Sequence, residues 1–238
     1  FSHETFNENI WQINDKRITM IFNKMKTIGK PLKNWAVEIN NGIKTGFNDA
    51  FYIDEKKKHA LINQDSRLIN LIKPMLRGED VGAFYPNFKD LYLINFHNGI
   101  KARNILPLRI EDYPVLKTHF DKYFEKLSKR SDKGITPYNL RNCAYLDYFD
   151  KPKIMYSEIT KFFPFMLDNK GMFCNNKVFF ITAKDDTVSL SFLTAVFNSK
   201  LCKLWIWYNC PELLRGAREI RKAYFENFSI SDLKNSEF

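Results

Sequence analysis

No two of the nine prolines in this chain are adjacent, and no two of the nine glycines stand two positions apart. The first absence excludes the Asn/Asp-Pro-Pro-Tyr tetrapeptide that methylates the amino groups of bases. The second excludes a Gly-x-Gly turn that would bring backbone against a cofactor such as S-adenosylmethionine. Cysteine is sparse: Cys143, Cys174, Cys202 and Cys210 show no C-x-x-C spacing and lie far from the four histidines. That pattern argues against a zinc site and for reduced, mostly buried thiols in a cytosolic protein. No proline precedes an aspartate, and the only Glu-x-Lys is Glu55-Lys56-Lys57, so the carboxylate pair of a Mg-dependent nuclease has no clear signature. Four scattered histidines supply no local pattern for nucleophilic catalysis, and His97 and His119 read as core-edge or helix-surface residues. No stretch is apolar for long enough to make a transmembrane helix. The opening Phe1-Ser2-His3-Glu4 resembles neither a translation start nor a signal peptide, so the chain reads as a piece of a longer protein.

What is present is positive charge. Lysine and arginine number 37 against 27 acids, a formal net charge of +10, which favours a polyanionic partner. Hydrophobic residues make up 45%, enough for a sizeable core in 238 residues. Among the aromatics, Phe120, Phe124, Phe179, Phe180 and Phe197 fall on apolar periodic faces and read as core, whereas Tyr138, Tyr145 and Tyr208 flank polar groups.

The pattern along the chain predicts an α+β (mixed α/β) fold, a mixed sheet with three main helices and long loops. Asp15 caps the first helix, with Ile18, Ile21, Phe22, Met25 and Ile28 at helical spacing and Gly29 and Pro31 ending it. A strand covers 35–39. Asp65 caps a short helix with Leu68, Ile69 and Ile72 inward, stopped at Pro74. A strand at 92–96 leads into a polar, basic loop. Asp112 and Pro114 open the second helix, with Leu116, Phe120, Tyr123, Phe124 and Leu127 on one face, and 128–134 reads as a charged surface turn. Strands follow at 153–156 and 177–181, then a third helix over 189–208 with Leu190, Leu193, Phe197, Leu201 and Leu204 inward, and an extended tail over 224–230. No internal repeat, low-complexity tract or clear linker divides the chain. It reads as one unit with a two-lobed shape and a weak boundary between 128 and 137.

The stretch Gly42-Ile43-Lys44-Thr45-Gly46-Phe47-Asn48-Asp49-Ala50-Phe51-Tyr52-Ile53-Asp54 combines two glycines, a cation and a hydroxyl with an apolar, strand-like run from Ala50 to Ile53. It is not a P-loop, because Lys-Thr precedes the second glycine and no helix is expected to follow. A tight hairpin or bulge and a ligand-contacting loop both fit. The basic run Asp54-Glu55-Lys56-Lys57-Lys58 reads as a solvated hairpin end.

This stretch resembles the opening motif of the target-recognition domain found at the C-terminus of TaqI-type adenine-specific DNA methyltransferases and single-chain restriction–modification enzymes, related to type I specificity subunits. The likeness continues in order through Ile72-Lys73-Pro74-Met75-Leu76-Arg77-Gly78-Glu79-Asp80-Val81, Tyr113-Pro114, Lys151-Pro152-Lys153-Ile154, Asn198-Ser199-Lys200-Leu201 and Arg221-Lys222-Ala223-Tyr224. The resemblance implies a bacterial, cytoplasmic module that recognises double-stranded DNA and is catalytically silent alone. It implies no cofactor in this chain, with S-adenosylmethionine and a possible Mg²⁺ serving a methyltransferase, and in some parents a nuclease, N-terminal to it in the same parent. Under that reading four clusters offer DNA contacts: Lys44, Thr45 and Asn48 on the glycine turn; Arg77 beside Gly78; Lys101, Arg103 and Asn104 on the loop after a strand; and Arg215, Arg218, Arg221 and Lys222 near the end. Two other readings stand beside it: an independent Mg-dependent nuclease using Asp49, Asp54, Glu55 and Lys57, and a protein-interaction module whose basic face is incidental.

Overall fold

The structure, a computed structural model, describes residues 15–231, so the opening Phe1–Glu4 lies outside it. Helix α1 (Lys16–Ile28) begins where the Asp15 carboxylate accepts the Arg17 amide at 2.8 Å, and it stops at Gly29. Strands β1 (Lys30–Pro31) and β2 (Val37–Asn41) follow, then α2 (Asn48–Phe51), β3 (Tyr52–Asp54), α3 (Glu55–Gln64), β4 (Ile72–Leu76) and β5 (Leu91–Ile94). Helices α4 (Pro114–Asp121) and α5 (Phe124–Lys129) precede five strands: β6 (Lys153–Ser157), β7 (Ile159–Thr160), β8 (Phe165–Asp168), β9 (Phe173–Cys174) and β10 (Val178–Ala183). The chain closes with α6 (Leu190–Phe197), α7 (Lys200–Asn209), β11 (Arg218–Glu219), α8 (Lys222–Phe225) and β12 (Ser229–Ile230).

Two four-stranded sheets organise these elements. One, in the order β2-β10-β6-β8, is antiparallel throughout. The other, β3-β5-β4-β9, is mixed, because β4 and β9 run parallel. The fold is therefore α+β, as the pattern predicted. Two hydrophobic cores share the first sheet. Met155, Met166, Val178 and Phe180 point into a core with Phe51, Phe96 and Phe120, while Ile154, Tyr156, Phe165 and Ile181 point into a core with Phe197, Trp205 and Phe225. A sheet covered on both faces explains why 153–156 and 177–181 read as continuous apolar runs rather than alternating ones. On the face that carries the Phe51, Phe96 and Phe120 core, fully buried Lys153 pairs with Asp168 across the β6–β8 register and donates to the Phe149 carbonyl at 2.6 Å.

Several local expectations change. The Ala50-Phe51 pair is helical, not extended, and both side chains are fully buried. Asp54 does not end a hairpin: its carboxylate accepts the Lys57 amide at 2.7 Å and starts α3, a helix with little amphipathic signal because only Leu61 is buried. Pro74 lies inside β4, and Ile69 faces solvent from a 3-10 turn. The second helix breaks at Lys122-Tyr123, which turns Phe124 outward. The third breaks at Asn198, whose amide nitrogen donates to the Phe165 carbonyl at 2.7 Å, and Leu201 is consequently exposed. The tail at 224–230 is α8 followed by the short β12. Within 128–134, Arg130 is buried rather than solvated. Cysteines are free, three of them buried, with burial pushing the Cys143 thiol up to about 11 and that of Cys210 to about 12.

Candidate nucleic-acid interface

The glycine turn sits where β2 ends against the 174–178 segment. The Gly42 amide donates to the Val178 carbonyl at 2.9 Å and the Ile43 amide to that of Cys174 at 2.7 Å. A Cβ on Gly42 would collide with the backbone of Cys174 and Asn175, so this glycine serves chain-to-chain approach. Thr45 is buried, its hydroxyl donating to Asn48 Oδ1 at 2.6 Å, and its carbonyl accepts the Arg130 guanidinium. Lys44 points outward and pairs with Asp132 at 3.0 Å. Asp132 also holds Arg141 at 3.0 Å, and a hydrogen bond from Lys44 keeps its carboxyl below the usual range.

The Lys44–Asp132–Arg141 chain leads to a concavity of about 670 Å³, walled by the 98–107 loop, Ile135 and Asn142. Gly99 has φ 74°, and a Cβ there would strike the Ile105–Pro107 backbone, so this loop folds tightly on itself. Its rim carries Lys101, Arg103 and Asn104 on a 3-10 turn, all exposed; Arg103 pairs with Asp147 at 2.8 Å. Asn104 ends the turn in the left-handed region at φ 55°. Asn98 locks the opposite wall, accepting the Ile135 amide at 2.8 Å and donating to Asn142. Four cations thus stand on these loops with two carboxylates, Asp132 and Asp147.

Arg77 and Lys177 line a second concavity of about 620 Å³, and the late basic segment pairs with its wall through β11 and β7. Arg77 pairs with Glu79 at 2.8 Å and with buried Asp80 at 3.0 Å, bonding that raises its already high pKa. Asp80 also accepts the Arg77 amide at 2.8 Å, which makes the pair a clasp around Gly78. Across the groove Glu158 binds Lys177 at 3.1 Å and Arg221 at 3.4 Å, and Arg221 reaches Glu219 at 2.7 Å. Arg218 is buried against Glu212 at 2.8 Å, with its guanidinium 4.3 Å from the Trp207 ring centre. Here Arg77, Lys177, Arg218 and Arg221 face five carboxylates. Arg215, at φ 65°, and Lys222 are exposed and outside these ion pairs. The Ile43–Asn175 bridge joins the two regions, since Asn175 lines the second concavity.

The structure thus brings the glycine turn together with the 98–104 loop, and links Arg221 through Glu158 to Lys177, which lines the same concavity as Arg77. Sequence reasoning passed over Arg141, Asn142 and Lys177 as site residues. Only the bare Arg141-Asn142 dipeptide in an otherwise unassigned stretch could have drawn notice. Of the residues considered for metal chemistry, Asp54 is engaged as a helix cap and Glu55 lies 3.7 Å from His59. Among the described residues no three His, Cys, Asp or Glu side chains converge as metal ligands.

Known structures share this architecture. The type IIG restriction endonuclease BpuSI matches with a TM-score of 0.61 at 14% identity, over 98% of this chain and 31% of its own. The type IIL restriction-modification enzyme MmeI, solved in complex with DNA, matches with a TM-score of 0.60 at 12% identity, over 83% of this chain and 25% of its own. The chain therefore spans about a third or less of those enzymes, and the likeness is one of fold. No curated protein matches it in sequence. The sequence model of the TaqI-like C-terminal specificity domain matches residues 73–230, which include the Arg77-Gly78 clasp, strands β6, β8 and β10 of the shared sheet and the late basic segment, while β2 and the glycine turn lie upstream. The chain belongs to the family of TaqI-like C-terminal specificity domains.

Proposed function

We propose that this chain is a sequence-specific double-stranded DNA recognition module of a bacterial restriction–modification enzyme. It would position the duplex for adenine methylation by S-adenosylmethionine-dependent catalytic domains elsewhere in the parent, and for cleavage in parents that also carry a Mg-dependent nuclease. The observation that carries this reading is the excess of cations around the 98–107 groove, where Lys44, Lys101, Arg103 and Arg141 meet only two carboxylates. Such a rim attracts phosphates, while amide and apolar side chains inside the groove suit base edges. We assign Lys44, Lys101 and Arg103 to phosphate contact and Asn104 to a base edge. Arg215, Arg221 and Lys222 form an outer basic flank. Arg77, Thr45, Asn48 and Arg218 support the loops that carry these groups.

Titration of fluorescent duplexes with the chain from low to physiological salt tests the proposal. Affinity should fall linearly with salt on logarithmic axes, because bound phosphates release counterions. A protein that binds no duplex at any salt concentration would sink the proposal. The observation against an independent nuclease reading is the engagement of Asp54 in capping α3.

A further inference from the structure

Inside the 98–107 groove the chemistry is unlike that of a phosphate site. Leu106 is 79% exposed, Ile135 68% and Ile105 42%, an amount of apolar surface that the two cores leave unused. The same concavity is lined by Asn104 and Asn142. The Asn142 oxygen already accepts from Asn98, whereas the Asn104 carboxamide has no hydrogen-bond partner among the described residues and keeps both its donor and its acceptor. The left-handed backbone at Asn104 sets that side chain at the end of a short 3-10 turn, with Lys101 one turn away and Arg103 braced by Asp147.

Each base pair presents a distinct pattern in the major groove. Adenine offers an acceptor at N7 and a donor at N6, which a carboxamide matches with two hydrogen bonds. Thymine adds a C5 methyl group that needs an apolar contact. Guanine is matched by arginine or lysine instead; Arg103 is braced by Asp147, and Lys101, on the rim of the groove, is the cation assigned above to phosphate. Resting on the proposal that the chain reads duplex DNA, we infer that this groove is an A·T-reading subsite. Asn104 bonds N6 and N7 of an adenine, and Leu106, with Ile105 and Ile135, receives the methyl group of a thymine. Lys101, on the rim, holds an adjoining phosphate and so fixes how closely the base edges approach.

A randomised duplex pool selected on the chain, followed by base-analogue substitution at each enriched A·T pair, tests the inference. Replacing thymine by deoxyuridine removes the methyl group and should weaken binding about threefold to fivefold at one such pair. Replacing adenine by 7-deazaadenine removes N7 and should weaken it on the order of tenfold. Leu106→Ala should abolish the distinction between thymine and deoxyuridine, and Asn104→Ala the sensitivity to 7-deazaadenine. Both side chains are exposed, so thermal melting of the variants should match the parent. An enriched motif made only of G·C pairs, or analogue effects that persist unchanged in both variants, would overturn the subsite while leaving salt-dependent duplex binding intact. Failure to retain any duplex would overturn the recognition proposal, and this inference with it.

Discussion

The guanidinium of Arg130 donates to the carbonyl of Thr45, joining the end of α5 to the glycine turn eighty-five positions earlier in the chain. The same group donates to the carbonyls of Asp132 at 2.9 Å and Pro137 at 3.0 Å and to that of Asn139, with its carbon 4.7 Å from the Phe51 ring centre. Burial pushes its pKa down to about 10, so it remains a cation at neutral pH. One buried cation thereby shapes two loops, the glycine turn and the 132–139 stretch. Arg130→Ala should cost about 3 kcal/mol of unfolding free energy, since several buried carbonyls lose their donor. Arg130→Lys should recover only part, because an ammonium cannot reproduce the planar fork. Urea denaturation of the two variants checks both outcomes.

The Lys153–Asp168 pair answers to the same physics beside Phe149 and Met172 in the core that holds Phe51. Asp168 also accepts the amides of Lys170 and Met172, both at 2.9 Å, so its charge is held in place when the lysine is removed. Lys153→Ala should therefore cost about 3–5 kcal/mol, the price of leaving a buried carboxylate without its cation. Equilibrium unfolding would show a midpoint shift without a change in slope if the loss is one of stability alone. A variant that unfolds at the parent's midpoint would refute this account.

Acid should weaken the core beneath the 98–107 groove. Burial lowers the pKa of both His97 and His119 from the ordinary value of 6.5. His97 Nδ1 accepts the Gly99 amide at 3.0 Å, and His119 Nε2 donates to the Ala50 carbonyl at 2.9 Å. With folded pKa values below the unfolded one, the unfolded chain binds more protons as pH drops. The stability contributed by the neutral rings is complete above about pH 6.5 and is lost as pH falls through the lower, folded values. Melting temperatures measured from pH 7.5 to pH 5 should decline, and His119→Asn should flatten part of that decline. A melting temperature independent of pH across this range would contradict the assignment.

Salt dependence should separate the two basic regions. Lys101→Ala and Arg141→Ala should each reduce the slope of log affinity against log salt by about 1, as expected for a lost phosphate contact. Arg218→Ala should leave that slope unchanged, because Arg218 is buried against Glu212 and Trp207. Parallel titrations at three salt concentrations are sufficient. Equal slope changes in all three variants would remove the distinction between the regions.

Much of this fold is written locally in the chain. The Asp15 carboxylate and the spacing through Met25 specify α1, because caps and periodicity act within a few residues. The runs at 153–156 and 177–181 specify β6 and β10 by sustained apolar content, and the order of motifs from Lys73 onward carries the family likeness. Helix α3 escaped notice because its start depends on a cap at Asp54 within a charged run that equally suits a turn. The break at Asn198 depends on a bond to Phe165, which no reading of helical spacing reveals.

The basic balance and the positions of its lysines and arginines were settled by the sequence alone. Which of those cations remain available was decided only by the tertiary structure. Lys44 meets Asp132, Arg103 meets Asp147, and Lys177 and Arg221 share Glu158, all pairs distant in the chain. Charge pairing depends on separation in space and on local exposure, not on separation along the chain. The four clusters that looked alike in sequence therefore became two unlike regions. One is a groove where four cations share two carboxylates and Lys101 has no ion pair among the described residues, and the other is a set of four cations matched by five carboxylates.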